Sequence, residues 1–474
     1  MTRGKVKHAS LDERRDEGKA ARQEVSRSSH TGWEPVADRF DPVALLEQQN
    51  ATREPDLVPV RHGRMKVSPF TFYRGAAKIM AADLADTPTA GLTVQLCGDA
   101  HLSNFGAFGS PERNLVFDVN DFDETLPGPF EFDVKRLAAS ITIAGRNNGF
   151  PPSEVRAATA ASVETYRTGM ERFAAMSTLE VWYANVSEQD IVTATDEAAR
   201  TATAGEGKEM RRRIRAAAAK AHTRDSLQAL SKLAEPADGR YRIVSQPPIV
   251  VPIRDVQEAF GLDPDMIQQV LHDQFRDYRR TLQDDRRHLL ERFELVDLAR
   301  KVVGVGSVGT RAYILLLQGR DSGDPLFLQV KEATASVLED HLPKSRYHQH
   351  GERVVQGQRL MQATSDIFLG WTKGIEENRY LYWRQLRDMK ASADVEAMTA
   401  NGLTLYARLC GFTLARAHAR SGDSVVLASY LGKKDSFDKA ITDFAERYAD
   451  QNERDYEQFT AAIESGRLEA REGL

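Results

Sequence analysis

The sequence predicts an α+β fold of two or three lobes, a long helical stretch among them, on three observations. At 474 residues the chain exceeds what one ordinary hydrophobic core organises. Residues 295–390 carry β texture, with apolar runs joined by Gly-bearing turns. The stretches on either side are dominated by apolar residues at helical spacing. We place boundaries at 1–35, 36–150, 151–294, 295–390 and 391–474.

Residues 1–35 are rich in Lys, Arg, Glu and Ser without an apolar period, which predicts a flexible N-terminal arm. From Ser68, the residues Tyr73, Ala76, Ala77, Met80 and Leu84 give one helix, broken at Pro88 and Gly91. Leu92–Leu96 and Leu115–Val119 read as short strands, and Pro127–Pro129 closes the section. A helix follows over 132–144. Residues 153–235 are mainly helical, with an Ala/Arg-rich helix over 209–234. Tyr241–Ile253 is extended, and Val270, Leu271, Phe275, Tyr278 and Leu282 form a further helical stripe. Val302–Val305, Ala312–Leu317 and Leu326–Val330 are strands, followed by a helix over 349–362, a strand over 379–386 and a helix over 403–419.

Composition narrows the function class. The apolar share is 41%, charged residues make up 28% and the formal net charge is −5, so no global basic field points to nucleic acid. The runs Arg211–Arg213, Arg279–Arg280 and Arg286–Arg287 fall in helical stretches and read as solvated faces. Cys97 and Cys410 lie in apolar contexts without metal-type spacing and fit buried thiols. No apolar run reaches the roughly 18 residues of a membrane span, and no apolar signal core opens the chain. A cytoplasmic location and no membrane partner are the expectation.

The chemistry concentrates in Gly98–Asp123. One strand delivers Asp99, His101 and Asn104, and a second delivers Asp118, Asn120, Asp121 and Asp123. Carboxylates and an amide converging at strand ends are the oxygen ligands a hard divalent cation takes, usually one or two side chains together with substrate phosphates. Asp and Asn are also common turn formers, but so many within this short segment, flanked by apolar strand residues, favour a site.

Gly304-Val305-Gly306-Ser307-Val308-Gly309 matches G-x-G-x-x-G, a weak signal alone. A dinucleotide-binding turn must lead from strand into helix. Here the apolar Ala312–Leu317 follows and ends at Gln318-Gly319, which predicts a strand–loop–strand hairpin. The third strand ends in Lys331, directed by apolar neighbours.

Gly98-Asp-x-His-x-x-Asn104 resembles the catalytic loop of aminoglycoside and choline kinases, in the protein-kinase-like superfamily. The resemblance implies that Asp99 is the catalytic base and that Asn104 binds Mg²⁺; His101 joins them in the expected catalytic set and reads as a residue that braces the loop. Asn120-Asp121-Phe122-Asp123 resembles the family's second metal element, which implies Asp121 as ligand with Asp123 assisting and Asp118 competing. Asp133 resembles the buried helix-start Asp that braces the catalytic loop. The family's usual His two positions before the base is Cys97 here. The hairpin resembles the glycine-rich flap of kinases, with Gly304, Gly306, Ser307 and Gly309 over the phosphates. Lys331 then matches the lysine that holds the α- and β-phosphates, with Glu332, Glu339 or Glu352 as its acidic partner. Arg384–Arg387 resembles the strand that leads to the adenine-binding hinge, which implies Gln385 as a nucleotide-side residue.

The order is unusual, because the glycine loop and lysine follow the catalytic loop by about 200 residues. The implied fold is a circularly permuted, protein-kinase-like two-lobed fold, permissible because chain termini often lie close together. Residues 36–150 and 391–474 would form the C-lobe, 295–390 the nucleotide-binding N-lobe, and 151–294 a helical region suited to an acceptor. With Ser68–Gly75 and Ala415–Asp423 added, the chain resembles the uncharacterised bacterial family called domain of unknown function 2252, from about residue 35 to 450. The expected function is phosphoryl transfer from ATP with Mg²⁺ (or Mn²⁺) to a hydroxyl on an unidentified small molecule or protein. Nucleotidyl transfer (AMPylation), a nucleotide-binding pseudokinase or scaffold, and a metal-dependent phosphohydrolase using His101 are the alternatives. Intact Asp99, Asn104, Asp121 and Lys331 argue against a pseudokinase, and a phosphohydrolase leaves the glycine hairpin unexplained.

Overall fold

Alternation of side chains along short apolar runs sets the sheets of this protein. The computed structural model describes residues 8–237, 240–260, 263–386 and 389–473. Strand β1 (Thr93–Leu96) is followed by the hairpin of β2 (Phe105–Gly109) and β3 (Leu115–Val119), whose turn is closed by the Ser110 N–H on the Asn114 carbonyl at 2.8 Å. Pro127–Pro129, expected only to close the section, belongs to β4 (Leu126–Pro129), antiparallel to β1. Prolines are tolerated there because the pair is a two-stranded edge. β5 (Val186–Ser187) adds to β3. β6 (Ala234–Ala237) and β7 (Arg240–Ile243) pair with one another.

The largest sheet is antiparallel and six-stranded. It uses β8 (Val250–Pro252), β9 (Glu294–Lys301), β10 (Ala312–Gln318), β11 (Pro325–Glu332), β12 (Gly370–Lys373) and β13 (Tyr380–Gln385), in the order β12-β13-β11-β10-β9-β8. β14 (Ala391–Ser392) joins the edge of β2. The Leu-rich run of β10 is a strand because both its faces are buried. Leu315 and Leu317 pack with Tyr278, Leu326, Leu328 and Trp383, while Ile314 and Leu316 pack with Leu230, Ile243, Ala299 and Phe327. A separate core joins the helices Phe130–Asn147, Pro152–Ala174, Ala400–Ser421 and Ser436–Glu464 around β1 and β3. The architecture is mixed α+β with several antiparallel sheets.

Four expectations need correction. The strand expected at 302–305 is instead β9, which ends at Lys301. Val302 and Val308 are apolar because the loop docks on Leu57 and Val60, and Val305 because it meets the cluster of Val43 and Leu46. The helix expected from Ser68 is two helices, Pro69–Gly75 and Ala77–Ala85, separated at Ala76, whose ψ of 28° leaves the helical region. The Ala/Arg-rich helix is likewise two, Ala204–His222 and Ser226–Leu233, because Asp225 caps the second through the Gln228 N–H at 2.9 Å.

The N-terminal stretch expected as a flexible arm contains the helix Leu11–Glu24; residues 1–7 lie outside the described residues. It docks on Ser424–Leu431 through Gly18, where a Cβ would come 2.3 Å from the Val426 carbonyl, and through Arg22 on the Tyr430 carbonyl at 2.8 Å. A glycine contact and an arginine leave no apolar stripe to read. Cys97 and Cys410 are free and buried. Arg212 and Arg213 pair with exposed Glu209, as on a solvated face. Among the described residues no helix is long and apolar enough to cross a membrane.

Candidate functional site

The turn leaving β1 is built around a backbone only glycine adopts easily. Gly98 has φ +83°, and a Cβ there would lie 2.2 Å from the Glu124 carbonyl. Asp133, buried near the start of the helix Phe130–Asn147, accepts the Cys97 N–H at 2.8 Å and the Gly98 N–H at 3.0 Å. Its second support is His418 Nε2 at 3.3 Å, whose Nδ1 meets the Tyr166 hydroxyl at 2.9 Å. The loop is therefore fixed from beneath by a buried polar chain.

Above that support sits Asp99. Its Oδ1 accepts Arg136 Nε at 2.8 Å and lies 2.7 Å from Arg136 Nη2. Burial pushes the Asp99 carboxyl above the ordinary aspartate range, with Arg136 opposing. His101 Nδ1 accepts the Ser103 N–H at 3.2 Å, which leaves Nε2 to face Asp99 Oδ2 at 3.7 Å. Burial, then Arg74 and Arg136, hold this imidazole well below its usual range, so it is neutral. Asn104 Nδ2 donates to the Asp99 carbonyl at 2.7 Å, and the Asn104 carbonyl accepts the Asn120 N–H at 2.8 Å. The two strand ends are joined there.

Lys331 reaches this segment from β11. Its Nζ donates to Asp123 Oδ2 at 2.5 Å and lies 3.7 Å from Asp121 Oδ1. Tyr382, opposite Lys331 on β13, donates its hydroxyl to Asp123 Oδ1 at 2.6 Å. Burial alone would lower the Lys331 ammonium, but Asp121 and Asp123 outweigh it and keep it protonated. Burial raises Asp121, and Lys331, Arg384 and Lys390 outweigh that and hold it below the ordinary range. The acidic partners expected for Lys331 are engaged elsewhere. Glu332 binds Arg379 at 2.6 Å, and Glu339 caps its own turn through the Ser336 N–H at 3.3 Å. Glu352 lies in the first turn of the helix His350–Met361, where its N–H donates to Gln349 Oε1 at 2.6 Å, and among the described residues it forms no ion pair with Lys331. That helix contributes Arg353 instead, which donates to the carbonyls of Asp123, Thr125 and Thr334 at 2.7, 2.6 and 2.8 Å.

The glycine segment forms the loop of the β9–β10 hairpin and runs into a strand, not a helix. Arg64 holds the Gly304 carbonyl at 2.6 Å, Arg53 the Val308 carbonyl at 2.5 Å, and the Glu54 N–H the Gly309 carbonyl at 2.8 Å. A cavity of about 770 Å³ lies on one side, lined by Lys331, Gln329, Arg384 and Gln385. One of about 390 Å³ lies on the other, lined by Asp99, His101, Asn104 and Gly306. Asp121, Gly304 and Ser307 border both. Gly309 lines neither and turns toward Arg53. The Gln385 backbone N–H is held by Asp366, and Arg387 lies outside the described residues.

Asp118 is committed elsewhere. It is 1% exposed, with Arg416 Nη2 2.5 Å from Oδ1 and the Ala363 N–H 2.9 Å from Oδ2. Among the described residues no three His, Cys, Asp or Glu side chains converge as a closed metal site. Asp121, Asp123 and Asn104 line the smaller cavity together, side-chain types that could hold a hard cation when phosphates and water supply the other ligands. Sequence reasoning gave no role to Arg136, Tyr382, Arg353 or Arg74. Arg136 carried a usable signal, lying one turn after Asp133 in the same motif.

The family comparison is decisive over most of the length, from residue 53 to 462. The chain belongs to the family DUF2252, described as an uncharacterized protein conserved in bacteria. Neither a curated protein nor a solved structure matches it. The DUF2252 match takes in the site from Asp99 to Lys331, the docking segment around Arg64 and the supporting His418.

Proposed function

We propose that this protein is an ATP- and Mg²⁺-dependent phosphotransferase with a circularly permuted, protein-kinase-like arrangement. One observation carries the reading. Lys331 Nζ lies 2.5 Å from Asp123 and 3.7 Å from Asp121, although 208 residues separate the lysine from Asp123. A glycine hairpin borders the cavities that meet there. A lysine, two aspartates and a glycine-rich loop at one cleft are the parts that position a triphosphate.

In this reading the adenine side of ATP occupies the larger cavity near Gln385, and the phosphates lie beneath Gly304–Ser307. Lys331 exchanges Asp123 for the α- and β-phosphates. Asn104, Asp121 and Asp123 would hold Mg²⁺, which when bound would neutralise phosphate charge. Asp99, oriented by Arg136, accepts the proton of the acceptor hydroxyl. The acceptor oxygen forms a bond to the γ-phosphorus, the β–γ bridging bond breaks, and ADP leaves with the bridging oxygen.

The test is incubation of the pure protein with ATP, Mg²⁺ and cell extract, followed by mass spectrometry of the products. ADP with a phosphorylated product is expected. An AMP adduct with pyrophosphate would reassign the protein to nucleotidyl transfer, and orthophosphate release alone would make it a hydrolase. Failure to bind ATP would refute the nucleotide site.

A further inference from the structure

The carboxylates of the smaller cavity are paired or otherwise held. Asp99 has Arg136, Asp121 and Asp123 have Lys331, Glu332 has Arg379, and Asp340 has Lys78 at 2.9 Å. Glu124 accepts the Val337 N–H at 2.7 Å, and burial pushes its carboxyl up to about 7. Two cations of the same wall are not matched in this way. Arg74 Nε is buried without a hydrogen-bond partner, and among the described residues no carboxylate forms an ion pair with its guanidinium. Arg53 donates through Nη1 to the Val308 carbonyl, while its Nε is buried and unpartnered. Glu396 and Asp99 act on Arg74, and Glu124, Glu332 and Asp123 on Arg53, through space and without contact. A guanidinium withdrawn from water with no carboxylate in contact is costly, and its planar fork matches a phosphate or carboxylate. Both arginines line the smaller cavity beside Asp99, and neither lines the larger one, where Lys331 and Gln385 lie.

We propose that Arg74 and Arg53 form an anion subsite on the Asp99 side of the cleft, so that the acceptor carries a phosphate or carboxylate group near its reacting hydroxyl. The word acceptor rests on the phosphotransferase reading; the anion subsite itself does not. The hydroxyl would face Asp99, and the anionic group would take the free donors of Arg74, with Arg53 behind it. Arg136 is engaged by Asp99 and the Tyr73 carbonyl, so it does not duplicate this role.

The experiment is titration calorimetry of inorganic phosphate, and in parallel succinate, into the full-length chain, with and without saturating ADP and Mg²⁺. Arg74→Gln and the charge-keeping Arg74→Lys are compared with wild type, and ADP and ATP are titrated separately. Phosphate or succinate should bind wild type with ADP present. Arg74→Gln should weaken that binding about 10- to 100-fold, as expected for losing charge-assisted hydrogen bonds, and Arg74→Lys less, with ADP affinity within about twofold. If neither anion binds wild type, or Arg74→Gln binds equally well, the subsite is refuted. If Arg74→Gln lowers ATP affinity as much as phosphate affinity while sparing ADP, the arginine serves the γ-phosphate and the acceptor assignment falls. If no nucleotide binds, the phosphotransferase reading fails, and the nucleotide-free titration still decides the subsite. Should Arg74→Gln fail to fold, wild-type anion affinity in Arg74→Lys refutes the requirement for the guanidinium fork.

Discussion

Replacing Lys331 by Met tests the central juxtaposition, because it removes one charge and keeps most of the volume. Removing one partner of a fully buried ion pair costs about 3–5 kcal/mol. Here the lysine side chain is 3% exposed, but Asp121 and Asp123 are 32% and 26% exposed and keep some water. That discount brings the expected loss to about 2–3 kcal/mol. Both carboxylates hold the ammonium, Asp123 through the direct contact at 2.5 Å and Asp121 from 3.7 Å. Lys331→Met should therefore unfold at lower urea, followed by tryptophan fluorescence. Adding Asp123→Asn should regain part of the loss by neutralising the stranded carboxylate. Calorimetry should show MgATP affinity reduced about 10- to 100-fold, the worth of a charge-assisted hydrogen bond to phosphate. Wild-type urea stability would refute the ion pair. Wild-type ATP affinity would refute the lysine's role in holding phosphates.

Asp99→Asn should lower turnover by roughly 10²–10⁴ while ATP affinity stays within twofold, and equal turnover in a coupled ADP assay would exclude Asp99 as base. Burial raises the Asp99 carboxyl, and the base acts only when deprotonated. Wild-type turnover should accordingly fall as pH drops through a pKa above the ordinary aspartate value, and the Asn variant should lose this acid limb. Asp121→Ala should abolish the Mg²⁺ dependence of ATP binding, and calorimetry giving the same Mg²⁺ dependence as wild type would remove Asp121 from the metal set. Gly306→Val should weaken nucleotide binding without unfolding the chain, because even a Cβ there comes within 3.0 Å of the Arg74 carbonyl and pushes the loop outward. Unchanged ATP affinity in that variant would mean the loop does not cover the phosphates.

Much of this site is legible in the sequence because its signals are local. Gly98, Asp99, Asn104 and Asp121 fall at the ends of short apolar runs, and the unbroken apolar run Ala312–Leu317, ending at Gln318-Gly319, defines β10 without long-range information. The same locality explains the errors. Apolar Val302–Val305 resembles a strand to any local rule, yet Val302 and Val305 are buried by segments more than 200 positions earlier in the chain. The helix Leu11–Glu24 docks through a glycine and an arginine, which leave no periodic trace.

Composition, the position of the polar cluster and the hairpin after the glycines were thus determined by the sequence alone. Only tertiary structure decided the partners. Asp118 and Asp121 look equivalent in sequence, but one is consumed by Arg416 in the core and the other borders the cleft. Lys331 pairs with Asp123 rather than with an acid on the following helix. The physical reason is that charge pairing depends on distance in space and on burial, and nothing along the chain encodes either for residues hundreds of positions apart.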